Sequence, residues 1–600
     1  MADMVNITID GKPYQVPKGT NLLMACLTHG QDTDGTYPDQ NEGGEHYVPH
    51  FCYHPGLSVS GNCRMCYVKT RQMVKRGDQL VPMEQYTTSC TNTVQEGLEV
   101  FTKTDDVQKI RAGIMDLELI NHPLDCPECD KAGECSLQDY AFDHGHAASK
   151  FDFEKVAAHI KPLGEKITIW GTRCIQCSRC IRVADEISGT SELCFVNRGD
   201  RTVIDIFPGK PIDNPLAINT VEVCPVGALK NRDFLYTARV WNLDQLPGVC
   251  GLCAKGCNNR VDSLKGDVTR VMSRENRNVN DYWLCDRGRV DYKWINSPRR
   301  IDLPLTKTGH VGWDKGYELA IAGLKAAGEN AGKAYALASA DMTNEELFLF
   351  RKLIERLGIT RVALMSEPDV NALDFPGFKA PSDGNANRAG AAIILGIADA
   401  EASIRDFAAA CGRGEVEHVF AWSCLPHGTP GAVTQALGAQ GVSSIVAVDF
   451  QRGMLSELAG VTLAGTTYVE TAGSWINADM HLQAFRPALR YPREGRVGIE
   501  ILQELLYAME EGRIETAEIT SQGTPLGIGT EDTFPDSAVV RGWEGAATIP
   551  VLAGSGEIAV KAKKNIVGAA SVFNQLAAEV PQFSGHTHLS LIQSHGARLL

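Results

Sequence analysis

The sequence predicts a multidomain chain of mixed α+β and α/β class, with a metal-binding front and an α/β body behind it. Three observations carry this. Six hundred residues exceed what one hydrophobic core usually organises, so three to five domains are expected. Seventeen of the nineteen cysteines lie in the first 300 residues, and fifteen fall into four groups at metal-ligand spacings. From about residue 301, short apolar runs alternate with Ala- and Gly-rich helical stretches, the pattern of βαβ units around a parallel sheet.

The totals exclude several functions. The chain is 44% hydrophobic, yet no run of about 18 apolar residues could span a bilayer. The first residues, Met-Ala-Asp-Met-Val-Asn, have no basic region or apolar core, so neither export nor organelle import is expected. A formal charge of -15 argues against nucleic acid as a partner, which would need a basic face. Thiols in such a chain are expected to stay reduced, so clustered cysteines read as metal ligands before disulfides.

In chain order, Val5-Asn-Ile-Thr-Ile-Asp-Gly-Lys alternates up to an Asp-Gly turn and predicts a hairpin. Residues 20–27 predict a capped helix with Leu23, Cys26 and Leu27 on one face, and Cys26 as a core residue. The first metal group is Cys52, Cys63, Cys66 and Cys90, spaced C-x10-C-x2-C-x23-C, with residues 71–84 reading as an insertion. Four thiolates with a glycine-bearing loop suit a [2Fe–2S] cluster, and the same spacing also suits structural zinc. Residues 107–121 predict an amphipathic helix with Val107, Ile110, Ile114, Leu117 and Ile120 on its buried face.

The second group is His122, Cys126, Cys129 and Cys135, spaced H-x3-C-x2-C-x5-C. It suits a [4Fe–4S] cube in which a neutral imidazole replaces one thiolate and raises the potential. A zinc knuckle is the alternative. The third group is Cys174, Cys177 and Cys180 with a remote Cys224-Pro, the ferredoxin arrangement of a [4Fe–4S] ligand set. Cys194, between them, reads as a spare core thiol. The fourth group, Cys250, Cys253, Cys257 and Cys285, has the spacing C-x2-C-x3-C-x27-C. Residues 259–271 between its ligands predict a small hairpin turning at Lys-Gly-Asp.

In the body, residues 316–327 and 345–357 predict helices, and the runs at 336–338, 362–365, 392–395 and 445–448 predict strands. Cys411 and Cys424 read as packing residues. The stretch after residue 510, rich in Gly, Thr and Pro, has no assignable structure. Neither a nucleophile–base pair nor a P-loop or dinucleotide fingerprint occurs, so no catalytic residue is expected. Arg64, Arg173 and Arg179, beside ligand cysteines, are candidates either for tuning cluster potentials or for ordinary surface pairing.

This order of sites resembles the large iron–sulfur subunit family of the peripheral arm of respiratory complex I, NADH:quinone oxidoreductase. The fourth group and the segment Glu470-Thr-Ala-Gly-Ser-Trp-Ile-Asn477-Ala-Asp-Met-His-Leu-Gln483 resemble molybdopterin oxidoreductases. The implied fold is a series of N-terminal ferredoxin-like iron–sulfur domains followed by a truncated molybdopterin oxidoreductase-like α/β body. The implied domains are 1–102 ([2Fe–2S]), 103–152 (one His, three Cys), 153–242 (ferredoxin-like), 243–300 (molybdopterin oxidoreductase-type) and 301–600 (the body).

The implied cofactors are one [2Fe–2S] and three [4Fe–4S] clusters. No molybdenum cofactor is expected, because no cysteine lies near residues 385–393 and too little length remains for a further barrel domain. By the resemblance, electrons from NADH and a partner's flavin enter at the Cys52 set. They pass to the Cys174 set and then the His122 set toward quinone, with the Cys250 set off the path. The implied partners are the flavin- and NADH-binding subunit and other peripheral-arm subunits of a proton-translocating complex. The implied location is the cytoplasmic side of a bacterial inner membrane, held there indirectly. The competing readings are the catalytic subunit of an NAD-linked formate dehydrogenase, an iron-only hydrogenase and a zinc-stapled scaffold.

Overall fold

The computed structural model describes residues 3–28, 47–489, 495–511 and 567–599, apart from residues 77, 153 and 595. It divides into two compact units. The first comprises residues 1–243, 281–290 and 374–379; the second comprises 244–280, 291–373 and 380–600.

The first unit opens with the predicted hairpin. Strands Met4–Ile9 and Lys12–Pro17 pair antiparallel. The turn between them places Asp10 and Gly11 at φ 47 and 85, the left-handed geometry that Asp-Gly turns supply. The helix Leu22–Thr28 follows. Asn21 caps it, its Oδ1 accepting from the backbone N–H of Leu23 (3.1 Å) and Met24 (3.3 Å). Leu23, Cys26 and Leu27 are buried as expected, and burial pushes the Cys26 thiol up to about 12.

The insertion is a β-hairpin. Tyr67–Arg76 and Gln79–Thr88 pair along their whole length and extend a five-stranded sheet that also contains the first hairpin and Leu98–Phe101. The predicted helix is present as Asp105–Leu119, but its buried seam is Val107, Arg111 and Met115. Leu117 is 64% exposed. The apolar pattern misled because a guanidinium occupies the seam: Arg111 donates to the Tyr67 carbonyl at 3.1 Å and is thereby buried.

Two smaller antiparallel sheets complete this unit: Leu229–Asn231, Ile167–Trp170 and Ile160–Pro162, and the pair Leu193–Val196 and Val203–Ile206. Cys194 is exposed on the latter pair, so it is not the core thiol that was expected.

In the second unit, Asn258–Leu264 and Asp267–Ser273 form the expected hairpin, joined by Asp244–Val249 on one side. The body contains a seven-stranded sheet in which Val461–Ala464, Ser444–Asp449, His418–Trp422, Ala334–Ser339 and Val362–Met365 run parallel. Every residue of Ala334–Ser339 is buried, as a strand covered on both faces requires. Helices Trp313–Glu329 and Asn344–Arg356 lie where they were expected.

The run at 392–395 is not a strand. It ends the helix Arg388–Leu395, whose Gly390 packs so tightly that a Cβ would lie 2.1 Å from Asn344 Oδ1. A short apolar run fits a buried helix as well as a strand. The unassigned stretch after residue 510 lies largely outside the described residues; beyond it, Ala569–Glu579 is a helix.

A buried ion pair secures this unit. Arg300 and Glu470 are 1% and 0% exposed and meet at 2.8 Å, with Thr467 also donating to the carboxylate. Arg300→Met alone should lower stability by about 3–5 kcal/mol, since it strands a buried carboxylate. The double variant with Glu470→Leu should recover much of that loss; denaturant titration of both variants checks it.

Nearby, His427 Nδ1 lies 3.0 Å from Glu367 and Nε2 lies 3.5 Å from Asp291. Those hydrogen bonds, Asp291 first, push the imidazole up to about 10. The pairing contributes fully below the ordinary histidine range near 6.5 and is lost as pH rises through about 10. His427→Ala should therefore lower the unfolding midpoint at pH 6 and have little effect above pH 10. Equal losses at both pH values would show that the ring acts only by packing.

Candidate metal centres

The first set converges. The Cys52 thiol hydrogen-bonds with those of Cys63 and Cys90, and Cys66 with Cys90, so three contacts link all four residues. The Cys63 and Cys90 contacts hold Cys52 far below the thiol range, and the Cys90 contact brings Cys66 to about 7. Cys52 N–H also points at Cys63 Sγ, at 3.5 Å. Arg64 turns the chain between Cys63 and Cys66 at φ 62. Cys90 sits in the turn Ser89–Thr91, where Ser89 donates to the Cys66 carbonyl from N (3.0 Å) and Oγ (2.9 Å). The long hairpin thus returns the chain to its starting point, and a gap of 23 residues brings two ligands into contact.

The third set lines one apolar hollow of about 330 Å³ including its mouth. Cys174, Cys177, Cys180 and Cys224 share its walls with Ile169, Ile204, Val226 and Leu229, among others. Gln176 and Ser178 at φ 55 and 63 curl the loop so that three cysteines face the hollow. Gln176 N–H donates to Cys174 Sγ at 3.4 Å. Burial pushes Cys174 up to about 12, Cys177 to about 11 and Cys180 well above the thiol range. Such thiols ionise only against a compensating cation, so the hollow fits an iron–sulfur cube.

The second set is tied to the third through the chain that follows Cys224. Cys129 and Cys135 are buried and Cys126 is half-buried. Each of Cys126 and Cys135 lies within electrostatic range of Cys129. His122 Nδ1 is buried without a hydrogen-bond partner, and burial lowers the imidazole to about 4, favouring the neutral form that ligation needs. A buried nitrogen without a partner is compatible with a metal ligand. Ser136 N–H donates to the Pro225 carbonyl at 3.1 Å. Gly227 lies so close that a Cβ there would be 2.2 Å from Cys129 Sγ.

Cys250, Cys253 and Cys257 belong to the second unit, and Cys285 to the first, where it accepts from Gly288 N–H at 3.4 Å. In the second unit Cys250 N–H donates to the Cys257 carbonyl at 2.8 Å. The segment 470–483 holds this loop: Asn477 Nδ2 donates to the Lys255 carbonyl (3.0 Å), and Gln483 Nε2 to that of Gly256 (2.8 Å). Gly256, at φ 62, leaves only 2.9 Å between a Cβ and Gln483. The resemblance at those residues therefore has a physical content: they clamp a cysteine loop.

Of the three arginines, Arg173 pairs with Asp125 (Nε to Oδ2, 3.1 Å) and lies over Trp170. Arg179 donates to the Tyr53 and Val223 carbonyls, and Arg64 is exposed. None of these hydrogen bonds goes to sulfur, though Arg179 lies within electrostatic range of Cys177, and Arg173 of Cys126 and Cys129. Sequence reasoning missed Arg182, which donates to the carbonyls of Cys52, Ser58 and Cys177 and so fastens the first set to the third. It also missed Lys230, whose Nζ lies 3.7 Å from Cys129 Sγ.

Among the described residues, no three His, Cys, Asp or Glu side chains converge tightly enough for a single metal ion. Ligands of a cluster bind different irons and stand wider apart. In the body, a recess of about 500 Å³ including its mouth is lined by Asp341, Glu346, Cys424, Trp422, Tyr468 and Trp475, among others. Its described lining residues include no Lys, Arg or His to receive the phosphate of a molybdopterin, so they do not fit that cofactor.

Four family models match the chain in order. Residues 2–105 match the 2Fe-2S iron-sulfur cluster binding domain, and 111–150 the NADH-ubiquinone oxidoreductase-G iron-sulfur binding region. Residues 164–230 match the ferredoxin-like domain of NADH-quinone oxidoreductase subunit 3, and 248–293 the NDSU1/NuoG-like 4Fe-4S domain. The chain is 33% identical over 359 residues to an NADH-quinone oxidoreductase subunit of Rickettsia prowazekii (strain Madrid E), covering 59% of this chain and 49% of that protein. It is 32% identical over 375 residues to the NADH-ubiquinone oxidoreductase 75 kDa subunit of Reclinomonas americana, covering 62% of this chain and 50% of that protein. A solved NAD+-reducing [NiFe]-hydrogenase in the H2-reduced state aligns at a TM-score of 0.32 with 26% identity, over 39% of this chain and 91% of that one.

The chain spans about half the length of the curated relatives it matches. The matched segments are all domains of iron–sulfur proteins. More narrowly, residues 111–150 and 248–293 are similar to iron–sulfur domains of NuoG-like NADH-quinone oxidoreductase subunits.

Gly227→Ala should expel Cys129 from its position. Iron analysis should then show a loss of about four irons per chain, the content of one cube, with the fold retained by circular dichroism. Full iron content would show that the Cys129 loop can yield.

Proposed function

We propose that the chain is an electron relay of NADH:quinone oxidoreductase, taking electrons from a flavin- and NADH-binding partner and passing them toward quinone. Cys52, Cys63, Cys66 and Cys90 would hold a [2Fe–2S] cluster. His122, Cys126, Cys129 and Cys135 would hold a [4Fe–4S] cluster, as would Cys174, Cys177, Cys180 and Cys224. Cys250, Cys253, Cys257 and Cys285 would hold a third. Bound there, the clusters supply one-electron redox chemistry. The observation that carries the reading is the serial order of the four iron–sulfur matches over residues 2–293.

The chain's own residues support an order of transfer from the first set to the third and then the second. Arg182 spans the carbonyls of Cys52 and Cys177, and the segment from Cys224 to Lys230 reaches Cys129. The walls around the third set are apolar, and burial of its ring nitrogen favours the neutral form of half-buried His122. No described helix is long and apolar enough to cross a membrane. Attachment to the cytoplasmic face of a bacterial inner membrane would then come through other peripheral-arm subunits. The proposed domain limits remain 1–102, 103–152, 153–242, 243–300 and 301–600.

Metal analysis of anaerobically purified protein, with electron paramagnetic resonance after dithionite, tests this. About fourteen irons per chain are expected for the four clusters, with little zinc, molybdenum or tungsten. Stoichiometric molybdenum or tungsten would favour the formate dehydrogenase reading, and zinc without iron a scaffold. His122→Cys should keep its cluster and shift it to a more negative potential; an unchanged midpoint would remove His122 from the ligand set.

A further inference from the structure

Lys230 is 4% exposed, which is rare for a lysine without an anionic partner. It lies on the strand Leu229–Asn231, where Lys230 pairs with Thr168. Side chains alternate along a strand. Leu229 accordingly faces the hollow of the third set, and Lys230 turns the other way, onto Cys129 of the second. Its Nζ lies 3.7 Å from Cys129 Sγ, the one hydrogen bond its side chain makes among the described residues. Gly227, three residues earlier, leaves the thiol and the ammonium room to meet: a Cβ there would lie 2.2 Å from the sulfur and 3.3 Å from Nζ.

We propose that Lys230 is a positioning residue that sets the reduction potential of the cluster held by His122, Cys126, Cys129 and Cys135. The proposal rests on the reading of those four residues as cluster ligands. One-electron reduction adds one negative charge and breaks no bond. A buried ammonium beside a ligand sulfur therefore stabilises the reduced form more than the oxidised one, and N–H···S bonding acts in the same direction. Lys230 and the neutral His122 then act on this potential in the same direction. Asp130 is the acidic group within electrostatic range of Lys230, and its carboxylate is engaged by Tyr236 N–H at 3.2 Å. Lys131 and Arg173 face the same site with like charge.

The test is a dithionite redox titration of the full chain, followed by paramagnetic resonance. The signal of the second set is identified as the one that Cys129→Ser removes. Lys230→Gln, which keeps an N–H donor and loses the charge, should move that midpoint negative by a tenfold change in the reduction equilibrium, about 59 mV for one electron. Lys230→Arg should stay near the wild-type value, and the other signals should not move. A Lys230→Gln midpoint equal to wild type, with the signal intact, overturns the role of Lys230. A wild-type protein with no signal sensitive to Cys129→Ser, or with four irons fewer than expected, overturns the ligand reading and the proposal with it. Should Lys230→Gln fail to take up iron, a Lys230→Arg midpoint displaced as far as a neutral substitution would require also overturns it.

Discussion

A thiol buried in apolar surroundings can give up its proton only when a cation stands beside it, and the front of this chain is arranged around that constraint. In the third set, four cysteines share an apolar hollow and three of them are pushed above the ordinary thiol range. In the second, an imidazole is held neutral with a bare nitrogen. As neutral groups these thiols simply pack; bound iron would be the cation that lets them ionise. Iron held there would couple its loading to the folding of this part.

The loops that carry the ligands are held mainly by backbone carbonyls and buried cations. Arg179 and Arg182 donate to carbonyls of the first and third ligand loops, and Arg239 to those of Pro127 and Cys129. A guanidinium offers five donors in a fixed fork, so one side chain can fix two loops at once. The second unit solves the same problem with amides: Asn477 and Gln483 clamp the loop of Cys253 and Cys257.

Much of this was legible in the residues, and the failures have identifiable causes. The Asp-Gly hairpin, the helices at 316–327 and 345–357, and the strands at 336–338, 362–365 and 445–448 follow local pattern, which the structure keeps. The run at 392–395 failed because four apolar residues have no period of their own. The seam of Asp105–Leu119 failed because Arg111 is buried through its bond to the Tyr67 carbonyl, a long-range contact that periodicity cannot contain. Cys194 is exposed because it lies on a two-stranded sheet, a tertiary placement that the residues around it do not encode. Lys230 and Gly227 were silent because both act on a cysteine about a hundred residues earlier in the chain.

The hairpin between Cys66 and Cys90 has a consequence for how such sites are found. Because Tyr67 pairs with Thr88 and each later pair is stacked on the one before, residues added at the far end lengthen both strands together. The ligands at the base do not feel the change. The geometry at Cys66 and Cys90 is thus independent of the length of this arm, provided residues are added in pairs. A search that fixes the spacing will miss true members whose arms are longer or shorter. One that fixes the two base pairs and lets the middle vary will keep them.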